Sequence, residues 1–191
     1  MTVNLTKGGN ISLTKENPDL SNVTVGLGWD VRTTTGADFD LDASAIVADG
    51  DNKALSDQHF VFFGNLKTPD GSVEHSGDNL TGRGDGDDEQ IQVDLTSLSS
   101  DTDKIIIAVN IYQADQRGQS FGQVRNAYIR VINTATEEEM ARYDLTEDAS
   151  TDTAMVFGEL YRHGDDWKFR AVGQGYVSGL VGITQDYGIN L

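Results

Sequence analysis

KIIIAVNI, Lys104 to Ile111, is the stretch whose reading decides the fold. A near-continuous apolar run of this length reads as a central strand, covered on both faces. Working outward, the neighbours alternate instead. Ile91, Val93 and Leu95 are separated by polar residues, and Val23, Val25, Leu27 and Trp29 alternate with Thr24, Gly26 and Gly28. Such period-two patterns mark half-buried strands, here with small residues facing outward. On the far side, Ala127/Ile129/Val131, Ala141/Tyr143/Leu145, Val156/Leu160 and Trp167/Phe169/Ala171 continue the pattern. Leu41 to Ala48 and Phe60 to Phe63 supply two more strands, and ADGDN and TPDG supply turns. Val3/Leu5 and Ile11/Leu13 flank KGGN and read as a hairpin. TATEEEM, Thr134 to Met140, reads as a turn or a single helical turn leading into a strand, and Gly179 to Gly188 as a short helix. Many short strands, frequent turn signals and little helix predict an all-β fold: an antiparallel two-sheet β-sandwich with at most short helical turns, formed by residues 1–191 as one domain.

Charge and composition limit the function. The 191 residues carry 31 acidic against 14 basic side chains, a formal net charge of −17. Nucleic acid and anionic membrane are polyanions, so neither is expected as a direct partner. There is no cysteine, which removes disulfides, thiolate metal sites and thiol redox chemistry. No apolar run reaches the ~18 residues of a membrane span, and the N-terminus lacks the apolar segment of a secretory signal. The expectation is a cytoplasmic protein without direct membrane insertion. No nucleophile elbow, phosphate-binding loop or zinc-protease motif is present, so no catalytic residue is assigned and no enzyme is expected.

Two acidic elements carry the chemistry. SGDNLTGRGDGDDEQ, Ser76 to Gln90, interleaves Asp78, Asp85, Asp87, Asp88 and Glu89 with four glycines, opposed only by Arg83. Two carboxylates ~4 Å apart repel by roughly 4 kcal/mol at an effective dielectric of ~20. A folded loop that gathers several needs a cation, water or protons. Glycine permits close backbone approach, and hard oxygen donors at flexible spacing suit calcium. In FDLDAS, Asp38, Asp40 and Asp42 alternate with Phe39 and Leu41, placing three poor strand formers on one face. Neither element follows the twelve-residue EF-hand pattern. Together they predict one or two calcium ions. Asn110 reads as a strand-end hydrogen bonder, with calcium ligation the minority reading, and Phe121 as a core plug. His75 reads as an exposed loop histidine, with a hydrogen-bond donor behind the metal ligands as the second reading.

FDLDAS, GDNLTGRGDGDDEQ, KIIIAVNIY, FGQVRNAYIRV, ARYDL and WKFRAVGQGY stand in order along nearly the whole chain. In this combination the sequence resembles the TerD family of tellurite-resistance and stress-response proteins. The resemblance implies a calcium-binding β-sandwich of the bacterial cytoplasm. It would act as a calcium-dependent sensor or scaffold with other tellurite-resistance operon proteins, one of them a membrane protein able to recruit it to the inner membrane. Carried over, the metal positions are Asp38, Asp40, Asp42, Asp78, Asn79, Asp85, Asp87, Asp88 and Glu89, with carbonyls such as that of Gly82 completing the shell. Asp40, Asp78, Asn79, Asp87 and Glu89 are the favoured ligands. Two rival readings are an enzyme acting on tellurite or another oxyanion, and a metal-independent interaction module whose acids only solubilise.

Overall fold

The computed structural model describes residues 1–30, 33–77, 86–145 and 151–191. Its strands in chain order are β1 (Val3–Leu5), β2 (Asn10–Ser12), β3 (Asn22–Gly28), β4 (Leu41–Ala48), β5 (Phe60–Val61) and β6 (Val73–His75). The chain continues with β7 (Glu89–Asp94), β8 (Lys104–Ile111), helix α1 (Ala114–Arg117), β9 (Tyr128–Asn133) and β10 (Glu138–Asp144). It closes with β11 (Ala154–His163), β12 (Asp166–Tyr176) and helix α2 (Gly179–Asp186). Two six-stranded sheets result. The first runs β1-β10-β9-β3-β7-β6, the second β2-β12-β11-β8-β4-β5. The expected sandwich is the observed architecture.

The second sheet shows why KIIIAVNI is apolar throughout. Ile105, Ile107 and Val109 enter the main core between the sheets, with Leu41, Ala43, Ala45 and Val47 of β4 beside them. Ile106 and Ala108 face outward, yet they too are buried, in a second cluster with Ile46, Phe60 and Ile183. Ile183 belongs to α2, so the helix roofs this sheet and both faces of β8 are dry. The first sheet follows the other rule. Val23, Val25 and Leu27 of β3 point into the core, while Thr24, Gly26 and Gly28 line its outer face.

Two sequence expectations change, the β1–β2 hairpin and the exposure of His75, while Thr134 to Met140 forms the expected turn into a strand. β1 and β2 do not pair as a hairpin. β1 lies parallel to β10 at the edge of the first sheet, and β2 lies antiparallel to β12 at the edge of the second. The KGGN turn therefore carries the chain across the sandwich, and each strand finds a longer partner. TATEEEM forms a tight hairpin turn between β9 and β10, with Glu137 at φ 58°. Thr134 caps no helix; its hydroxyl meets that of Thr24 at 2.9 Å. His75 is buried at 3% exposure instead of lying in a solvated loop.

Ile107 has 1% of its surface exposed at the centre of the second sheet. Replacing it by alanine removes buried methylenes and leaves a cavity flanked by both sheets. Ile107→Ala is expected to lower unfolding free energy by about 2 to 5 kcal/mol, read from urea denaturation.

Candidate metal centre

Segments from both sheets meet around the FDLDAS stretch. The sheet pairing places Leu27 opposite Glu89, and Leu27 is a core residue, so Glu89 points inward from the first sheet. Its Oε2 accepts the backbone N–H of Ala43 at 2.6 Å. Ala43 follows Asp42 on β4 of the other sheet. The two acidic elements, 46 residues apart in sequence, are thus joined by a direct hydrogen bond.

Neighbouring contacts fix this junction. His75 Nδ1 accepts the Gly77 N–H at 2.9 Å, which leaves the ring proton on Nε2, 3.3 Å from the same Glu89 oxygen. Imidazole and carboxylate side chains are each 1% exposed. The Trp29 N–H donates to Asp88 Oδ2 at 2.9 Å, and its indole N–H donates to the Phe39 carbonyl at 3.2 Å. Burial raises the Asp88 carboxyl above its usual range. The Trp29 hydrogen bond opposes that rise, and repulsion from Asp87 and Asp30 adds to it. Negative charge at this end is therefore costly in the protein alone.

Asp40 and Asp42 are buried at 5% and 4% exposure. The Asp40 carbonyl accepts the Tyr112 N–H at 2.8 Å, and Asp38 precedes it on the loop entering β4. Gln119 donates through Nε2 to the carbonyls of Ala37 and Asp38 at 2.8 and 3.3 Å. Asn110 stands directly opposite Asp42 in the sheet, and Ser44 follows Asp42 on the same face. Among the described residues, Ser44 Oγ, Asn110 Oδ1 and Gln119 Oε1 are buried without a hydrogen-bond partner. Buried polar atoms are ordinarily paired, so three such oxygens around one acidic stretch require an account. Hard oxygen donors, carboxylate and neutral together, match the chemistry of calcium. No group of three or more His, Cys, Asp or Glu side chains in metal-holding geometry occurs among the described residues.

Asp78, Asn79, Gly82 and Asp85 lie outside the described residues. Asp87 is described, and its contacts differ from those of the favoured ligand expected from sequence. Its side chain is fully buried, paired with Arg130 through Nε at 2.7 Å and Nη2 at 3.0 Å. Gly26 pairs with both Arg130 and Gln90, so this cluster lies on the outer face of the first sheet, opposite Glu89. An open cleft of about 910 Å³ borders Asp88, lined in part by Trp29, Tyr128, Arg142 and Asp144.

Residues 1–187 match the model of the TerD domain. The chain belongs to the TerD family. It is 58% identical to Tellurium resistance protein TerD of Serratia marcescens over 190 residues, covering 100% of this chain and 99% of that protein. General stress protein 16U of Bacillus subtilis is 50% identical over 192 residues, covering 100% of each. A crystal structure of a homologue of telluride resistance protein (TerD), from Streptomyces coelicolor A3(2), superposes with a TM-score of 0.66 at 26% identity, covering 86% of this chain and 95% of that one. The sequence relatives thus carry both resistance and general-stress names, and the solved homologue shares the fold.

Gln119, Ser44 and Arg130 escaped the sequence reading. A lone glutamine after a glycine carries no spacing signal, and Ser44 is hidden among small strand residues. Arg130 left one legible trace, since it alternates outward between Ile129 and Val131.

Burial, with Asp87 beside it, pushes the Tyr128 hydroxyl from 10.0 up to about 12. A raised pKa in the folded state stabilises the protein fully below the unfolded value. That contribution is lost as pH climbs from about 10 to about 12. In thermal melts over that window, Tyr128→Phe is expected to show a shallower fall in Tm than wild type. Some fall remains, because Tyr187 is likewise pushed up to about 12 by burial.

Proposed function

We propose that this TerD-family chain binds calcium where its two acidic segments meet, as a sensor or scaffold in tellurium resistance and stress response. The observation carrying this reading is the Glu89–Ala43 hydrogen bond, which brings the second segment onto the strand bearing Asp42. The buried oxygens of Ser44, Asn110 and Gln119 beside that strand support it. Asp38, Asp40, Asp42, Asp88 and Glu89 would supply carboxylates, with Asp78, Asn79, Asp85 and the Gly82 carbonyl from the same glycine-rich stretch. Calcium takes 6 to 8 oxygens in flexible geometry, whereas magnesium demands a near-ideal octahedron and keeps its waters.

Charge neutralisation is what the ion supplies. The protein's own part is positional: Trp29 orients Asp88, the Ala43 amide orients Glu89, and the His75 N–H keeps Glu89 from turning away. An ion held where the two segments meet would fix one end of the sandwich as a defined surface for partner proteins. Those partners are proteins of the same resistance system, a membrane protein among them, through which the chain is drawn to the inner membrane from the cytoplasm. A site serving as a cytosolic sensor needs a Kd of about 10⁻⁷ to 10⁻⁵ M. The setting follows the resistance and stress names of the relatives, which are not names of catalysts.

Binding to the folded state alone adds RT ln(1 + [L]/Kd), about 2.7 kcal/mol at a hundredfold excess over Kd. Thermal melts should therefore show Tm rising with calcium and not with equimolar magnesium, and returning to baseline in EDTA. Asp42→Asn should reduce the calcium-induced rise. An unchanged Tm in calcium, or an equal rise with magnesium, contradicts the reading.

A further inference from the structure

Asp87, Asp88 and Glu89 are consecutive, yet their carboxylates leave in three directions. Asp88 goes to the Trp29 amide and Glu89 inward to the Ala43 amide. Asp87 alone turns to the outer face of the first sheet, where its oxygens are fully engaged. Arg130 takes both, the Tyr128 hydroxyl donates to Oδ1 at 3.0 Å, and Gln90 Nε2 donates to Oδ2 at 3.1 Å. The Tyr128 hydroxyl also lies 3.1 Å from the Gly86 carbonyl, so it holds the residue before Asp87 as well. Arg130 is held in turn by Glu139 at 3.0 Å. Arg142 reaches the same Glu139 oxygen at 3.3 Å and lies 3.9 Å over the Tyr128 ring.

The seat of this cluster is cut into the sheet. A methyl group at Gly26 would overlap the Asp87 carboxylate, and one at Gly28 would stand 2.5 Å from the Tyr128 ring. Both glycines are in β3, at the end nearest Trp29. Side chains at these two positions would hold the acid and the phenol off the sheet. The trough they leave lets Asp87 sink until its side chain is wholly buried. One residue on, the Asp88 N–H meets the Leu27 carbonyl at 2.8 Å, and β7 begins.

We propose that the Asp87–Arg130 pair, seated over Gly26 and covered by Tyr128, is a positioning element. It sets the point at which the chain enters β7, and so holds Asp88 and Glu89 on the amides of Trp29 and Ala43. Through them it tunes cation affinity without touching the cation. The affinity half of this statement rests on the calcium reading above; the positional half does not. Groups that only orient metal ligands typically change affinity about 10- to 100-fold when altered.

Gly26→Ala is the direct test, because it displaces Asp87 without removing a charge and sits in extended strand backbone. Arg130→Lys is the second variant, keeping the charge but losing the two-pronged grip. Thr24→Ala is the control, on the same strand face but bonded only to Thr134 among the residues described. Calcium Kd by titration calorimetry and exchange of the Trp29 and Ala43 amides in EDTA are measured for all four proteins. The expected result is calcium binding about 10- to 100-fold weaker in both variants. Both amides should also exchange several-fold faster, with the control like wild type. Kd and exchange matching the control overturn the proposal, as does weaker binding with unchanged exchange. If wild type takes up no calcium, the calcium reading fails, and the amide exchange still decides the positional claim.

Discussion

The Glu89 carboxylate crosses from one sheet to the other and closes on the amide of Ala43, and the end of the sandwich is organised by that contact. A carboxylate carried this far from water is stable only when its lone pairs are used. Here one oxygen serves both the Ala43 amide and the His75 ring. The contact also explains how β4 ends its pairing. β5 matches β4 only at Ala45 and Ile46, so the Ala43 N–H at the sheet edge is left for the carboxylate. A side chain thus completes an edge that a longer strand would otherwise cover.

Two adjacent residues meet burial differently. Asp87 is neutralised within the protein, by an arginine whose pairing with it raises the guanidinium further above its usual range. Asp88 accepts the Trp29 amide, and burial raises its carboxyl. The first arrangement is self-sufficient. In the second, burial still disfavours the ionised form despite the amide. The distinction is local and electrostatic, and it divides residues that the sequence presents as one acidic run.

That division marks what sequence reasoning can reach. The layers were legible because period-two alternation maps directly onto two faces, and because KIIIAVNI announced a strand dry on both. Repulsion said only that each acidic cluster needs compensation; that Glu89 reaches the amide of Ala43 was not legible from it. Nor was it legible which acid points where. Asp87 and Glu89 are two apart and would share a face in a regular strand; a bend before β7 sends them to opposite faces. His75 was misread because its burial depends on Glu89, fourteen residues away in sequence. β1 and β2, which do not pair with each other, show a similar limit: a turn motif fixes a reversal of the chain, but the longer neighbours β10 and β12 decide where each strand pairs.

A crystal structure grown in calcium, with the ion located by its anomalous scattering, tests the central claim most directly. The account predicts a peak bonded to at least one oxygen from residues 38–42 and at least one from residues 78–89, with Asp87 still on Arg130. A peak bonded to a single segment, or none at saturating calcium, would contradict it.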